Sequence, residues 1–106
     1  MYRAITKIAK HYGYEPQSRQ LIEEMAELTV AINKNWRAIN YGTADEEGAK
    51  KVLETRERVI EEIADVEIML EQIKYMLDAY SSIAEYKAQK LDRQLKRIEK
   101  EKESTC

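Results

Sequence analysis

The stretch QLIEEMAELTVAINK, residues 20–34, decides how the rest of the chain is read. Leu21, Met25, Leu28 and Ile32 recur at steps of four, three and four, the spacing of one face of an α-helix. Glu23, Glu24 and Glu27 interrupt that apolar run. A second segment, VIEEIADVEIML (residues 59–70), repeats the arrangement with Glu61, Glu62 and Asp65. There the predicted buried stripe is Val59, Ile63, Val66, Leu70, Ile73 and Leu77. Ile60, Ala64, Ile68 and Met69 add apolar groups on further faces. A helix apolar on so many sides needs more neighbours than this short chain supplies, so a homo-oligomer, dimer or tetramer, is expected.

Helix signals extend outward from these two segments. A first helix is predicted over Tyr2 to Tyr12, carrying Ile5 and Ile8 and closed by Gly13. Tyr14-Glu15-Pro16 is read as a connector, because proline biases its predecessor away from helix. Gln17 or Ser18 then caps a second helix reaching about Ile39. Asn40 to Gly48 is the main loop, rich in break signals. A third helix is expected from about Lys50 to Tyr80, and Ser81-Ser82 permits a turn. A fourth helix follows, about Ile83 to Lys100, with a thinner apolar face of Tyr86, Leu91, Leu95 and Ile98. Residues 101–106 are expected to fray. The fold class predicted is all-α: one domain of four helices, with the second and third antiparallel and central.

Composition narrows the function classes. Charged residues are 36% of the chain, yet the net charge is only -2, which gives no electrostatic case for nucleic acid or an anionic membrane. Uncharged apolar runs are too short to span a bilayer. Arg3, Lys7 and Lys10 interrupt any signal-peptide pattern at the start. The single cysteine, Cys106, can build neither a disulfide framework nor a zinc site within one chain. A cytoplasmic protein is expected.

On a helical wheel Gln20, Glu24, Glu27, Ala31 and Lys34 share the flank of the second helix's stripe. Glu62 and Asp65 flank the third helix's stripe in the same way. Residues three apart face one way, so two packed helices can bring four carboxylates together. Like charges at that spacing cost about 0.2–0.5 kcal/mol per pair even when exposed, and more in a lower dielectric. A divalent cation offsets that cost. All-oxygen ligands without histidine point to Mg²⁺, with Mn²⁺ possible by the same chemistry. Acidic residues are numerous, however, and Glu54 and Glu57 make a pair of the same spacing in a charged, solvated stretch.

The two acidic motifs, EEMAE (residues 23–27) and EIAD (residues 62–65), resemble the signature of the MazG-like all-α nucleoside triphosphate pyrophosphohydrolases, EExxE followed by ExxD. That superfamily includes dimeric dUTPases and phosphoribosyl-ATP pyrophosphohydrolase. ELTVAINK (residues 27–34) is similar to the family's continuation, and the resemblance covers roughly Gln17 to Leu77. The spacer from Leu28 to Glu61 is longer than the family's common range, which fits a longer loop and an extended start to the third helix.

The resemblance implies metal binding by Glu24, Glu27, Glu62 and Asp65, with Glu23 in an accessory role that orients water or a second metal. It implies Mg²⁺-dependent hydrolysis between the α- and β-phosphates of a nucleotide, releasing a monophosphate and pyrophosphate. Lys34 lies one turn past Ala31 and is the first candidate to stabilise the departing pyrophosphate. Gln20 shares its flank. KLDRQLKR (residues 90–97) resembles the family's phosphate-contacting segment through Lys90, Arg93 and Arg97, although a solvated basic face reads the same way. Trp36, Tyr41 and His11 are candidates to contact a nucleobase. Packing is the alternative for Trp36, and a helix-dipole contact is the alternative for His11. Two other readings stay open: a phosphoribosyl-ATP-type substrate, and a non-catalytic helical adaptor whose acidic pairs form salt bridges.

Overall fold

Four helices follow one another: α1 (Tyr2–Tyr12), α2 (Tyr14–Tyr41), α3 (Glu46–Met76) and α4 (Tyr80–Thr105). The computed structural model describes residues 1–105, and among these there is no strand. Cys106 lies outside the described residues. The all-α class is therefore as expected. No helix among the described residues is long and apolar enough to cross a membrane. The chain divides into two compact units, Met1–Met76 and a second that starts at Leu77.

A single residue joins α1 to α2. Gly13 has φ 87°, a conformation that side chains with a Cβ rarely adopt, and its N–H donates to the Ala9 carbonyl at 2.8 Å. Its own carbonyl accepts from the Gln17 N–H, so Gly13 both ends α1 and begins α2. The expected connector Tyr14–Pro16 is instead the first turn of α2. Proline is tolerated there because the missing N–H would have had no intrahelical acceptor.

The loop before α3 is also shorter than predicted. Asp45 accepts a hydrogen bond from the Gly48 N–H at 2.9 Å, three residues on, and so caps α3 from Glu46. Thr43 donates its hydroxyl to the same carboxylate. These two bonds, the Thr43 one the stronger influence, hold the Asp45 carboxyl below its usual range. Gly48 is buried in this first turn, and a Cβ there would run into the Thr43 carbonyl oxygen. The C-terminal end of α3 comes at Met76, earlier than expected. Asp78 turns the chain with φ 51°, ahead of the predicted Ser81-Ser82 turn.

Within the first unit α2 and α3 form the main packing pair, and α1 packs chiefly against α3. The pair is antiparallel: Gln17 near the start of α2 bonds Gln72 near the end of α3, and Asn35 bonds Thr55 further along. The side chains that face the seam are Gln17, Leu21, Glu24, Leu28, Ala31, Asn35 and Ala38 on α2, all buried or half-buried. On α3 they include Val52, Thr55, Val59, Glu62, Val66, Met69 and Ile73. Steps alternate between four and three on both helices, which is the periodicity of a coiled-coil seam. Tyr2 of α1 meets Tyr75 of α3 edge to face, with ring centroids 6.3 Å apart.

This seam corrects the predicted stripes. Leu21, Leu28, Val59, Val66 and Ile73 turn inward as expected. Met25 and Ile32 do not: they are 42% and 49% exposed, and Ile63, Leu70 and Leu77 are exposed as well. Each helix carries two apolar stripes, and the intrachain seam uses the one that contains the carboxylates. Only Ala9, Ala31, Val66 and Met69 are buried apolar residues among those described, a thin core. A fully buried Val or Met contributes roughly 1.5–3 kcal/mol, so such a core leaves little margin.

In the second unit α4 extends to Thr105, past the predicted end near Lys100. Tyr86, Leu91, Leu95 and Ile98 are exposed rather than core-facing. Lys96 pairs with Asp92 at 3.0 Å and Lys102 with Glu99 at 3.9 Å, one turn apart along the helix.

Gly48→Ala pushes a Cβ into backbone rather than into a yielding side chain, so it is expected to cost about 1–3 kcal/mol. Thermal melting followed by circular dichroism checks this; a variant that melts with the wild type would contradict the tight start assigned to α3.

Candidate metal centre

Midway along the α2–α3 seam, the two acidic motifs meet. Glu24, Glu62 and Asp65 each place a carboxylate oxygen within 4.8 Å of the other two. The helix periodicity explains the arrangement. Glu24 occupies a seam position between Leu21 and Leu28, and Glu62 occupies one between Val59 and Val66. Asp65 lies three residues after Glu62 on the exposed edge of the same face. The carboxylates were expected at the margin of the buried faces. Instead Glu62 is inside, 3% exposed, and Glu24 is half-buried.

The protein satisfies only half of these two groups. Glu24 Oε1 accepts from the Gln20 amide at 2.9 Å, and Glu62 Oε1 lies 3.2 Å from Arg58 Nη2. The second oxygens, Oε2 of Glu24 and Oε2 of Glu62, are buried and have no hydrogen-bond partner among the described residues. A buried anionic oxygen without a donor is expensive, and native structures rarely keep one without a reason. The strain is visible in the Glu62 carboxyl, which is raised above its usual 4.5. Burial is the first cause and Arg58 opposes it. The charges of Glu27, Asp65 and Glu24 raise it further.

The set of donors is all carboxylate oxygen, with no histidine or thiol, which suits a hard divalent cation and not zinc or copper. Three carboxylates this close, two of them with an oxygen that lacks a donor, are ligands such an ion uses. The residues present therefore fit Mg²⁺ or Mn²⁺.

Gln20 is brought to the centre through its bond to Glu24. Glu27 is exposed and outside the group of three, yet close enough for its charge to act on Glu62. Glu23 is exposed. Lys34 lines a cavity of about 110 Å³ with Ala31, Lys51, Glu54, Thr55 and Arg58. Trp36 is exposed and stacks edge-on with Tyr41 at 5.4 Å between centroids. His11 is in the last turn of α1 against the Tyr12 ring. In the second unit Lys90 and Arg93 border a shallow hollow with Tyr86 and Gln89, and Arg97 is exposed one turn on.

Two residues at this centre were not anticipated. Arg58 belongs to the charged stretch read as solvated, and Lys51 precedes it by two turns. The signal available was spacing: Arg58 is four residues before Glu62, so the two share a helix face. Comparison with family models, with curated proteins and with solved structures finds no match for this chain.

A carboxyl raised by burial makes folding less favourable once it must ionise. Glu62 contributes no penalty below about its ordinary value of 4.5, and a growing one as pH rises through its raised value. Glu62→Gln removes that dependence. Melting in a chelator-containing buffer is therefore expected to show the difference, variant minus wild type, growing from pH 4 to neutrality; a difference that is flat or shrinks would contradict the buried charge.

Proposed function

We propose that the protein is a MazG-like, Mg²⁺-dependent nucleoside triphosphate pyrophosphohydrolase, cleaving the α–β phosphoanhydride of (deoxy)nucleotides to a monophosphate and pyrophosphate. The observation that carries the reading is the pair of orphaned, buried carboxylate oxygens on Glu24 and Glu62, next to Asp65 and within the EExxE and ExxD motifs.

In this reading Glu24, Glu62 and Asp65 hold the cation, and Glu27 adds negative charge at the rim. An ion held there would polarise phosphoryl oxygens and lower the pKa of water. The chain's residues do the rest. Gln20 fixes the Glu24 carboxylate by its amide, which leaves the other oxygen free to ligate. Glu23, exposed beside Glu24, accepts a proton from the attacking water. Lys34, in the adjoining cavity, places positive charge where the departing pyrophosphate gathers negative charge. Trp36 offers an exposed aromatic surface for a base.

The second apolar stripe supports assembly. Ile22, Met25, Ile32, Trp36 and Ile39 run along α2 on the exposed side, and Ile60 and Ile63 are exposed on α3. Exposed apolar side chains aligned on one helix face suit an association site, and the thin intrachain core gains from covering them. The proposed assembly is a homodimer or homotetramer in which these stripes pair.

Four measurements test the reading. Pyrophosphate release is expected from at least one nucleoside triphosphate in a panel assayed with Mg²⁺. Glu24→Gln and Asp65→Asn are expected to lose more than the roughly 10–100-fold typical of groups that only support a ligand, while remaining folded. Mg²⁺ or Mn²⁺ is expected to raise the melting temperature, by about 2.7 kcal/mol of stabilisation at a hundredfold excess over Kd. An absence of turnover together with an unresponsive melt would leave an adaptor held by salt bridges as the better reading. Sedimentation equilibrium is expected to return a dimer or tetramer mass, and a monomer would remove the assembly.

A further inference from the structure

Arg58 stands between two parts of the seam with opposite charge. On one side its guanidinium faces the acidic cluster, with Nη2 3.2 Å from Glu62 Oε1 and Nη1 3.7 Å from Glu61 Oε2. On the other side Arg58 lines the cavity that holds Lys34 and Lys51. Three cationic side chains and one carboxylate, Glu54, border that small space, so it carries a positive surplus.

The two partners of the Arg58–Glu62 pair are unequal. The Glu62 side chain is 4% exposed and the Arg58 side chain 62%. Burial fixes the carboxylate and demands a counter-charge for it. The arginine remains largely hydrated, and an exposed partner leaves an ion pair at little cost. A divalent cation shared by Glu24, Glu62 and Asp65 supplies the counter-charge itself, and its double charge repels the guanidinium. The arginine's other neighbourhood is the Lys34–Lys51 cavity, where its planar fork suits the oxygens of a phosphate.

We propose that Arg58 is an exchangeable counter-ion: it neutralises Glu62 until a divalent cation takes that carboxylate, then turns to the Lys34–Lys51 cavity and donates to a phosphate of a cation-bound polyphosphate. The inference rests on the metal reading of the acidic cluster and adds an order of events to it. Entry of the cation releases the residue that receives the anion, so the two ligands bind with positive coupling, and the coupling is reciprocal.

The test uses Mn²⁺ alone, then imidodiphosphate as a non-hydrolysable phosphate probe on the Mn²⁺-saturated protein. Calorimetry is run on the wild type, Arg58→Gln, Arg58→Lys and Lys51→Gln. Arg58→Gln is expected to bind Mn²⁺ at least about threefold more tightly, because a competitor for Glu62 is gone. The same variant is expected to bind imidodiphosphate roughly 10–100-fold more weakly, the loss typical of a hydrogen bond to a charged group. Arg58→Lys restores competition for Glu62 but only part of the imidodiphosphate affinity, since the fork is lost. Lys51→Gln, remote from Glu62, weakens imidodiphosphate and leaves Mn²⁺ affinity unchanged. Arg58→Gln with unaltered or weaker Mn²⁺ binding, or with unaltered imidodiphosphate binding, would overturn the proposal; a lower melting temperature with no gain in Mn²⁺ affinity would mark Arg58 as a stabilising surface pair only. A wild-type protein that binds no Mn²⁺ removes the metal reading and this inference with it, whereas Mn²⁺ binding identical in wild type and Arg58→Gln removes this inference alone.

Discussion

An ionisable carboxylate inside a hydrophobic seam is the constraint on which the first unit of this protein turns. Glu62 occupies a position that the α2–α3 packing pattern reserves for an apolar side chain. A methyl-bearing residue there would lengthen the core that now consists of Ala9, Ala31, Val66 and Met69. The chain forgoes that burial and accepts a raised Glu62 carboxyl, a half-buried Glu24 and two oxygens without donors. Proteins keep such locally unfavourable arrangements at functional sites, which is why the cluster carries the proposed function.

The same constraint organises the neighbouring charges. Arg58 approaches Glu62 from the solvent side, Gln20 restrains Glu24, and Lys34 and Lys51 line the adjoining cavity. Acidic and basic groups thus follow one another along one helix pair. A phosphate chain chelated by a cation has the complementary order of charges, and the proposed chemistry uses both parts.

Much of the architecture was legible because it depends on local rules. Helical periodicity identified four helices, Gly13 marked a boundary, and the i, i+3 spacing picked out Glu24, Glu27, Glu62 and Asp65 as neighbours of a packing face, of which Glu27 lies outside the group of three. The errors have physical causes. Pro16 suggests a break, yet it stands in a first turn, where the missing N–H costs nothing. Gly48 suggests a loop, yet its bare Cα admits the Thr43 carbonyl and lets α3 begin earlier. Met25 and Ile32 read as core because hydrophobicity alone does not say which of two apolar stripes pairs within the chain. Arg58 read as solvated surface because its significance arises only when α3 lies antiparallel to α2.

Polar rungs recur along that antiparallel pair: Gln17 with Gln72 at 2.8 Å, the carboxylates at the middle, and Asn35 with Thr55 at 3.0 Å. A seam built from a seven-residue repeat has near-equivalent alignments one repeat apart. Sliding by one repeat would set Glu24 level with Arg58 or with Gln72 instead of Asp65, and would part both hydrogen-bonded pairs. The rungs therefore act as a vernier on the two helices. An ion bridging the middle rung could exist in only one alignment, and its binding energy would weigh entirely on that side of the balance.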